Sequence, residues 1–198
     1  MLTFIGAAAL AFGAIFIAEF GDKSQLLILA YATRYAARPV VLGLVLAAAT
    51  IQGVSVAVGA IVGAALPSIG VAVVSGIAFL AVAAWTLRGD DDEAGDVAAA
   101  SDGQRRLVGI GLVLTVAFTF MLGELGDKTM LATFALAASQ GALPTWIGST
   151  AGEVAANLVV VVIGRQVGHR LSPRLIRIGS AVLFAVAGVA VLAGVILG

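Results

Sequence analysis

Glu19-Phe20-Gly21-Asp22-Lys23-Ser24 and Glu124-Leu125-Gly126-Asp127-Lys128-Thr129 are one phrase written twice, 105 residues apart. Each copy lies inside a long apolar run. Carboxylates and a lysine in a lipid-spanning segment are costly and mark a functional site. A duplicated cluster of this kind predicts two half-sites that meet to make one whole site.

The surroundings of the two motifs set the compartment. Hydrophobic residues fill 61% of the 198 positions and charged ones 11%, and the mean hydropathy is +1.13. A soluble domain of this length could not hide so much apolar surface, so the expected class is an all-α integral membrane protein. The zero net charge says nothing about partners, because the charges are unevenly placed; the expected partner is the lipid bilayer, with no nucleic acid. Without Cys there is no disulfide, redox pair or thiolate metal site. No Lys or Arg precedes the first apolar run, which continues into the first motif, so no cleavable signal peptide is expected.

Six helical spans are predicted, at about 2–33, 40–65, 69–87, 107–138, 144–164 and 175–197. The breaks fall at Arg34 to Pro39, at Leu66-Pro67, in the polar stretch 88–106, at Gly141 to Pro144 and at Arg165 to Pro173. Runs one and four are too long for one straight crossing. About 32 helical residues reach roughly 48 Å, against a hydrocarbon core of about 30 Å. Spans 1 and 4 are therefore expected to be discontinuous, broken at the motif glycines near mid-membrane.

Arginine placement orients the chain. The nine arginines (Arg34, Arg38, Arg88, Arg105, Arg106, Arg165, Arg170, Arg174, Arg177) lie in or beside connections 1–2, 3–4 and 5–6, and none in connections 2–3 or 4–5. Lys/Arg-rich connections stay on the cytoplasmic side, which puts both termini outside and the linker 89–106 in the cytoplasm of a cell (inner) membrane.

The repeat runs well past the motif. At the same offset Ile5-Gly6 matches Ile110-Gly111, Pro39 matches Pro144, Gly43 matches Gly148, Gly59 and Gly63 match Gly164 and Gly168, Ser75 matches Ser180 and Phe79 matches Phe184. Three spans per unit is an odd number, so the second copy enters the membrane inverted. The expected organisation is a 3+3 inverted repeat: residues 1–88, an acidic linker 89–106, and residues 107–198. Gly59-x-x-x-Gly63 and Gly164-x-x-x-Gly168 also have the spacing of close helix packing, or are ordinary small residues of membrane helices.

Of eleven acidic residues, six sit in the linker; the other five, Glu19, Asp22, Glu124, Asp127 and Glu153, lie in apolar runs. Four motif carboxylates in a low-dielectric pocket cannot all stay ionised unaided; they need a cation or protons. Lys23 and Lys128 each follow their glutamate by four residues, the spacing of an intrahelical ion pair. Each motif then carries about one negative charge, and the facing pair matches one divalent cation or about two protons. Ser24, Thr129, Gln25, Gln52 and Asn157 add oxygen, and Gln52 and Asn157 are repeat mates in mid-span. Such a shell suits Ca²⁺, Mn²⁺ or Mg²⁺, while the lack of Cys and of intramembrane His argues against Zn²⁺ and copper. Met121 and Met130, beside the second motif, are either soft ligands favouring Mn²⁺ or apolar packing. Gln52 and Asn157 are either ligands or interhelical hydrogen-bond glue. Glu153, whose repeat mate is Ala48, is read as a proton relay, an extra ligand or a neutral buried acid. His169 is read as solvated, and the acidic linker as a disordered tether or, alternatively, a regulatory cation sensor.

The twin E-x-G-D-[KR]-[TS] signature, one copy per three-span half, resembles the family of calcium/manganese–proton exchangers in the lysine-exporter superfamily. That family includes Golgi and chloroplast manganese and calcium transporters and bacterial manganese exporters. The resemblance covers essentially the whole chain, and neither motif departs from the pattern. It implies that Glu19, Asp22, Glu124 and Asp127 bind the transported cation, with Ser24 and Thr129 in support. It implies a secondary transporter exporting a divalent cation, Mn²⁺ first and Ca²⁺ as the alternative, against protons, with no permanent cofactor. Other classes fit less well. An intramembrane aspartyl protease needs G-x-G-D, and Glu19 and Glu124 occupy the first position. A membrane serine protease needs an intramembrane His, and there is none. A passive channel with a carboxylate ring is the remaining alternative.

Overall fold

The computed structural model describes residues 3–19, 22–88, 108–167 and 173–197. The expected roles of the linker 89–106 and of His169 lie outside them. Among the described residues the chain is all helical. The helices are α1 (Phe4–Glu19), α2 (Lys23–Arg34), α3 (Ala37–Ala65), α4 (Ser68–Arg88), α5 (Ile110–Glu124), α6 (Lys128–Gln140), α7 (Ala142–Val167) and α8 (Pro173–Leu197).

The first and fourth apolar runs are indeed each divided at the motif. α5 and α6 are bent by 82° across Leu125-Gly126-Asp127. Gly126 takes φ +80°, a conformation open to glycine at little steric cost. α1 stops at Glu19 and α2 starts at Lys23. At 16 and 12 residues, neither would cross a hydrocarbon core of about 30 Å alone. Two helical stretches, Ala37–Ala65 and Ser68–Trp85, are each long and apolar enough to cross a membrane among the described residues, and the bent pair α5–α6 makes a third if taken as one span.

Three helices begin two or three residues before the positions expected from the sequence: α3 at Ala37, α7 at Ala142 and α8 at Pro173. In each the proline lies in the first turn. N–H groups there have no intrahelical acceptor, so proline's missing donor costs nothing and its fixed φ suits the helix.

Packing follows the repeat. α1 lies against α7, and α5 lies against α3. A Cβ on Gly43 would come 2.8 Å from the Val113 carbonyl and 2.7 Å from Val116 Cβ, so only a glycine lets α3 and α5 approach this closely. Its repeat mate Gly148 meets the carbonyl of Ala8 and the methyl of Ala11, which are the repeat mates of Val113 and Val116. Gly59 and Gly63 likewise seat α3 on the Phe134 and Ala138 backbone of α6, so that pair packs helices; its mate, Gly164 with Gly168, runs outside the described residues. In hydrocarbon, where apolar burial alone drives little association, such backbone proximity and interhelical hydrogen bonds are what hold helices together. The bonds include Ser75 Oγ to the Ala135 carbonyl (3.1 Å), Trp146 Nε1 to the Ala49 carbonyl (2.9 Å) and Tyr31 Oη to Thr119 Oγ1 (3.2 Å).

Two apolar cores result. One joins α2, α3 and α5 through Ile28, Tyr31, Leu44, Val116 and Phe120. The other joins α1, α4, α6 and α8 through Ile15, Phe79, Leu136 and Phe184. Phe79 and Phe184, repeat mates, stack with ring centroids 6.1 Å apart. Outward, Ile5, Ile61, Ile110, Phe118 and Val186 are all more than 60% exposed, a surface suited to hydrocarbon rather than water.

Candidate cation site

Both breaks are built by one backbone scheme. The Asp22 N–H donates to the Glu19 carbonyl (3.1 Å) and the Gln25 N–H to the Asp22 carbonyl (3.2 Å). In the second motif the Asp127 N–H donates to the Glu124 carbonyl (3.1 Å) and the Met130 N–H to the Asp127 carbonyl (3.2 Å). Each glutamate therefore closes one helix, and each aspartate stands at the N-cap of the next, in extended conformation. A carboxylate at that position faces unsatisfied N–H groups and the positive end of the helix dipole, which suits its charge.

The side chains complete the site. Glu19, Asp22 and Glu124 each offer a carboxylate oxygen, and the three oxygens lie within 4.8 Å of one another. Two come from the first motif and one from the second, so the breaks meet. Asp127 is not in this group; its Oδ2 accepts from the Thr129 N–H and hydroxyl, both at 3.4 Å. Ser24 Oγ donates to Glu19 Oε2 at 3.2 Å. The two motif hydroxyls thus aim carboxylates. All of these groups are buried, none more than 7% exposed.

One expectation is overturned. Lys128 does not pair with Glu124 four residues back; its Nζ binds Asp22 Oδ1 of the other motif. The cause is the break itself. An i,i+4 pair needs an unbroken helix between its members, and here the helix ends at Glu124 and restarts, turned, at Lys128. The side chain of Lys23, expected to pair with Glu19, lies outside the described residues.

The repeat mates Gln52 and Asn157 are fully buried at the crossing of α3 and α7, with Glu153 between them. Gln52 Nε2 donates to Glu153 Oε2, and Asn157 Nδ2 donates to the Glu153 carbonyl at 3.0 Å. Gln52 therefore does serve as interhelical glue, while its Oε1 and Asn157 Oδ1 have no hydrogen-bond partner among the described residues. Glu153 is not one of the three clustered carboxylates. The Gln52–Glu153 contact was not foreseen from the sequence; the only hint was the unmatched pairing of Glu153 with Ala48 across the repeats.

The arrangement can hold a hard cation. Glu19 Oε1, Asp22 Oδ2 and both Glu124 oxygens are buried and without a hydrogen-bond partner among the described residues, an oxygen set suited to Mn²⁺, Mg²⁺ or Ca²⁺. A cavity of about 890 Å³ among α1, α4, α6 and α8 is lined mainly by Ala, Leu, Val and Phe side chains, with Ser68, Ser139 and Gln140, and by none of these carboxylates. A smaller crevice of about 310 Å³ between α3 and α6 does reach the site, touching Gly126, Asp127 and Met130. There Met130 Sδ accepts the Gly126 N–H at 3.2 Å, which gives the thioether a turn-closing role.

Comparison with known proteins adds the following. The family model described as divalent cation/proton antiporter GDT1 matches residues 7–94 and again 112–196, once in each half. A provisionally named manganese exporter of Vibrio cholerae is 31% identical over 179 residues, covering 89% of this chain and 85% of the relative. The rice (Oryza sativa subsp. japonica) chloroplastic GDT1-like protein 2 is 30% identical over 209 residues, covering 93% of this chain and 60% of the relative. No solved structure matches the chain.

Proposed function

The chain belongs to the GDT1 family of divalent cation/proton antiporters, and on that premise we propose that it exports Mn²⁺ from the cytoplasm in exchange for protons. It is a transporter and not an enzyme. The observation that carries the proposal is the meeting of Glu19 and Asp22 from one broken helix with Glu124 from the other. Asp127, Ser24, Thr129, Gln52 and Asn157 complete the shell in this reading, as ligands or as groups that aim them.

The architecture we propose is six spans in two inverted halves, residues 1–88 and 107–198, joined by a cytoplasmic linker, 89–106, with both termini outside. The matched offset of the two family regions, the matched Gly43 and Gly148 contacts and the identical backbone scheme at the breaks support it. Broken helices at a repeat interface are the usual seat of a transported ion, because rocking one half on the other opens the site to each side in turn.

Coupling follows from charge. The four motif acids and two motif lysines sum to about two negative charges, which a divalent cation neutralises when bound and protons neutralise when it leaves. An inward proton gradient then drives the cation out. Mn²⁺ is the proposed cargo because the Vibrio cholerae relative carries that description across nearly its whole length. Ca²⁺ is the second reading, favoured by a site whose unpartnered donors are all oxygen. Purified protein in liposomes holding a pH dye, under an imposed pH gradient, is the test. Mn²⁺ flux with opposite proton movement is expected; Mn²⁺ flux indifferent to the gradient would defeat the exchange reading.

A further inference from the structure

We propose that the cavity of about 890 Å³ among α1, α4, α6 and α8 is a binding site for one acyl chain of a membrane phospholipid, the tail seated against Phe79 and Phe184 and the headgroup end at Ser68 and Gln140. The inference rests on the chain spanning a membrane. It is independent of the cation site, none of whose three clustered carboxylates lines the cavity.

The cavity has the depth of one leaflet. Its wall on α4 runs from Ser68, the first residue of that helix, to Phe79, about 16 Å of helix at 1.5 Å per residue. A leaflet supplies half of a hydrocarbon core of about 30 Å. At the deep end Phe79 and Phe184, both buried, stack with ring centroids 6.1 Å apart. The other end lies at helix termini, where Leu66 caps α3, Ser68 opens α4 and Gln140 closes α6. Leu10, Ile17 and Leu66 are wall and exposed surface at once, so the cavity opens on the apolar exterior.

Polarity is graded along that depth. The polar side chains of the lining, Ser68, Ser139 and Gln140, all stand at the helix-terminal end; the rest of it is Gly, Ala, Val, Leu, Ile and Phe. Gln140 Oε1 is buried without a hydrogen-bond partner among the described residues. A buried acceptor left unpaired is costly, and a headgroup N–H or O–H would satisfy it. An apolar body with a few polar groups at one end, at a volume within about 300–1,000 Å³, is the form of a site for an amphiphile. Among the described residues no Lys, Arg or His lines the cavity. A free fatty acid would therefore bring a carboxylate with no counter-charge, whereas a phospholipid leaves its charge at the water interface.

Gly13 supplies an independent observation. Gly43, Gly59 and Gly148 are needed for close packing, since a Cβ on any of them would fall within 3 Å of a neighbouring carbonyl oxygen. A Cβ on Gly13 would meet nothing within 4 Å, so no neighbouring helix demands a glycine there. Glycine inside a helix is destabilising relative to alanine. Its repeat mate is Phe118, and the mate of Ala9 is Leu114. The first half thus carries small residues where the second carries bulky ones, and Ala9 and Gly13 both line the cavity. Lipid tails are as apolar as these walls, so a chain passes from the bilayer into the cavity with no loss of hydration.

The test uses the full-length protein in phosphatidylcholine liposomes doped with a phospholipid bearing a diazirine at the end of one acyl chain. After photolysis and digestion, labelled residues are read by mass spectrometry. Label is expected at Phe79 or Phe184, which are buried from the surrounding lipid, as well as at exposed Phe118. Gly13→Phe fills the cavity from α1 and should lower the label at the buried pair about tenfold, leaving Phe118 unchanged. Gly13→Leu carries the same test should the phenylalanine variant fail to fold. Label at Phe118 but not at the buried pair in wild type would overturn the proposal, as would label at the pair that neither substitution lowers. The free fatty acid with the same diazirine should label the pair far less, and equal labelling would overturn the phospholipid as occupant. If Phe118 is not labelled either, the chain is not embedded in lipid and the proposal falls with the membrane reading. Cation flux in the same liposomes reports separately on the exchange reading.

Discussion

At the first break Asp22 is held by Lys128 from the opposite motif, and Ser24 steadies Glu19. At the second, Asp127 turns back on its own helix, taking the N–H and hydroxyl of Thr129, while neither oxygen of Glu124 has a hydrogen-bond partner among the described residues. Two backbone bonds recur at equivalent positions in both breaks, yet their charges are handled differently. Backbone equivalence is thus compatible with one-sided electrostatics. Like carboxylates in the two halves thus have different partners.

The hardest blow to this comparison would be unequal need for the two glutamates. Glu19→Gln and Glu124→Gln should each reduce Mn²⁺ transport in liposomes to background while the purified protein still elutes as a single folded species. Transport surviving in one of them would mean that the halves do not share one site.

Next is the cross-motif pair. Lys128→Gln leaves Asp22 buried without its cation, which costs about 3–5 kcal/mol for a buried pair broken on one side. A fall in unfolding temperature is expected, with Asp22→Asn/Lys128→Gln recovering most of it. If the double variant is no better than the single, the pair contributes little to folding.

Proton competition tests both breaks together. Protons and the cation seek the same carboxylate oxygens, so Mn²⁺ binding should weaken as pH falls. The expected slope is about tenfold per pH unit for each proton displaced, hence up to about a hundredfold for two. Binding titrations followed by thermal shift between pH 6 and 8 would measure it, and a flat profile would remove proton exchange from the site.

The smallest effects should separate the two hydroxyls. Ser24→Ala loosens a carboxylate within the close group, and Thr129→Val one outside it. About a threefold loss of Mn²⁺ affinity is expected for Ser24→Ala and less for Thr129→Val, each within the roughly 1 kcal/mol of a typical hydrogen bond. The reverse order would place Asp127 nearer the cation than Glu19.

Much of this arrangement was legible in the chain. The twin motif, the offset and the two impossible run lengths pointed to broken helices, because a rise of 1.5 Å per residue and the cost of charge in lipid act locally. Helix starts were read two or three residues late only because prolines were taken as boundaries, when a first turn accepts them. The role of Gly43 and Gly148 was half visible: their register stood out, but the helices they admit did not.

The sequence by itself determined the family, the membrane-suited all-helical character and the residues that bear charge, since each is written in composition, periodicity and a repeated local phrase. Tertiary structure alone decided who meets whom. Lys128 joins Asp22 across 106 residues, and Gln52 joins Glu153 across 101. For Lys128 the physical reason is the 82° turn at Gly126, which cancels the one-helix spacing on which sequence pairing rules depend and hands its side chain to the other half; Gln52 and Glu153 meet because α3 packs against α7.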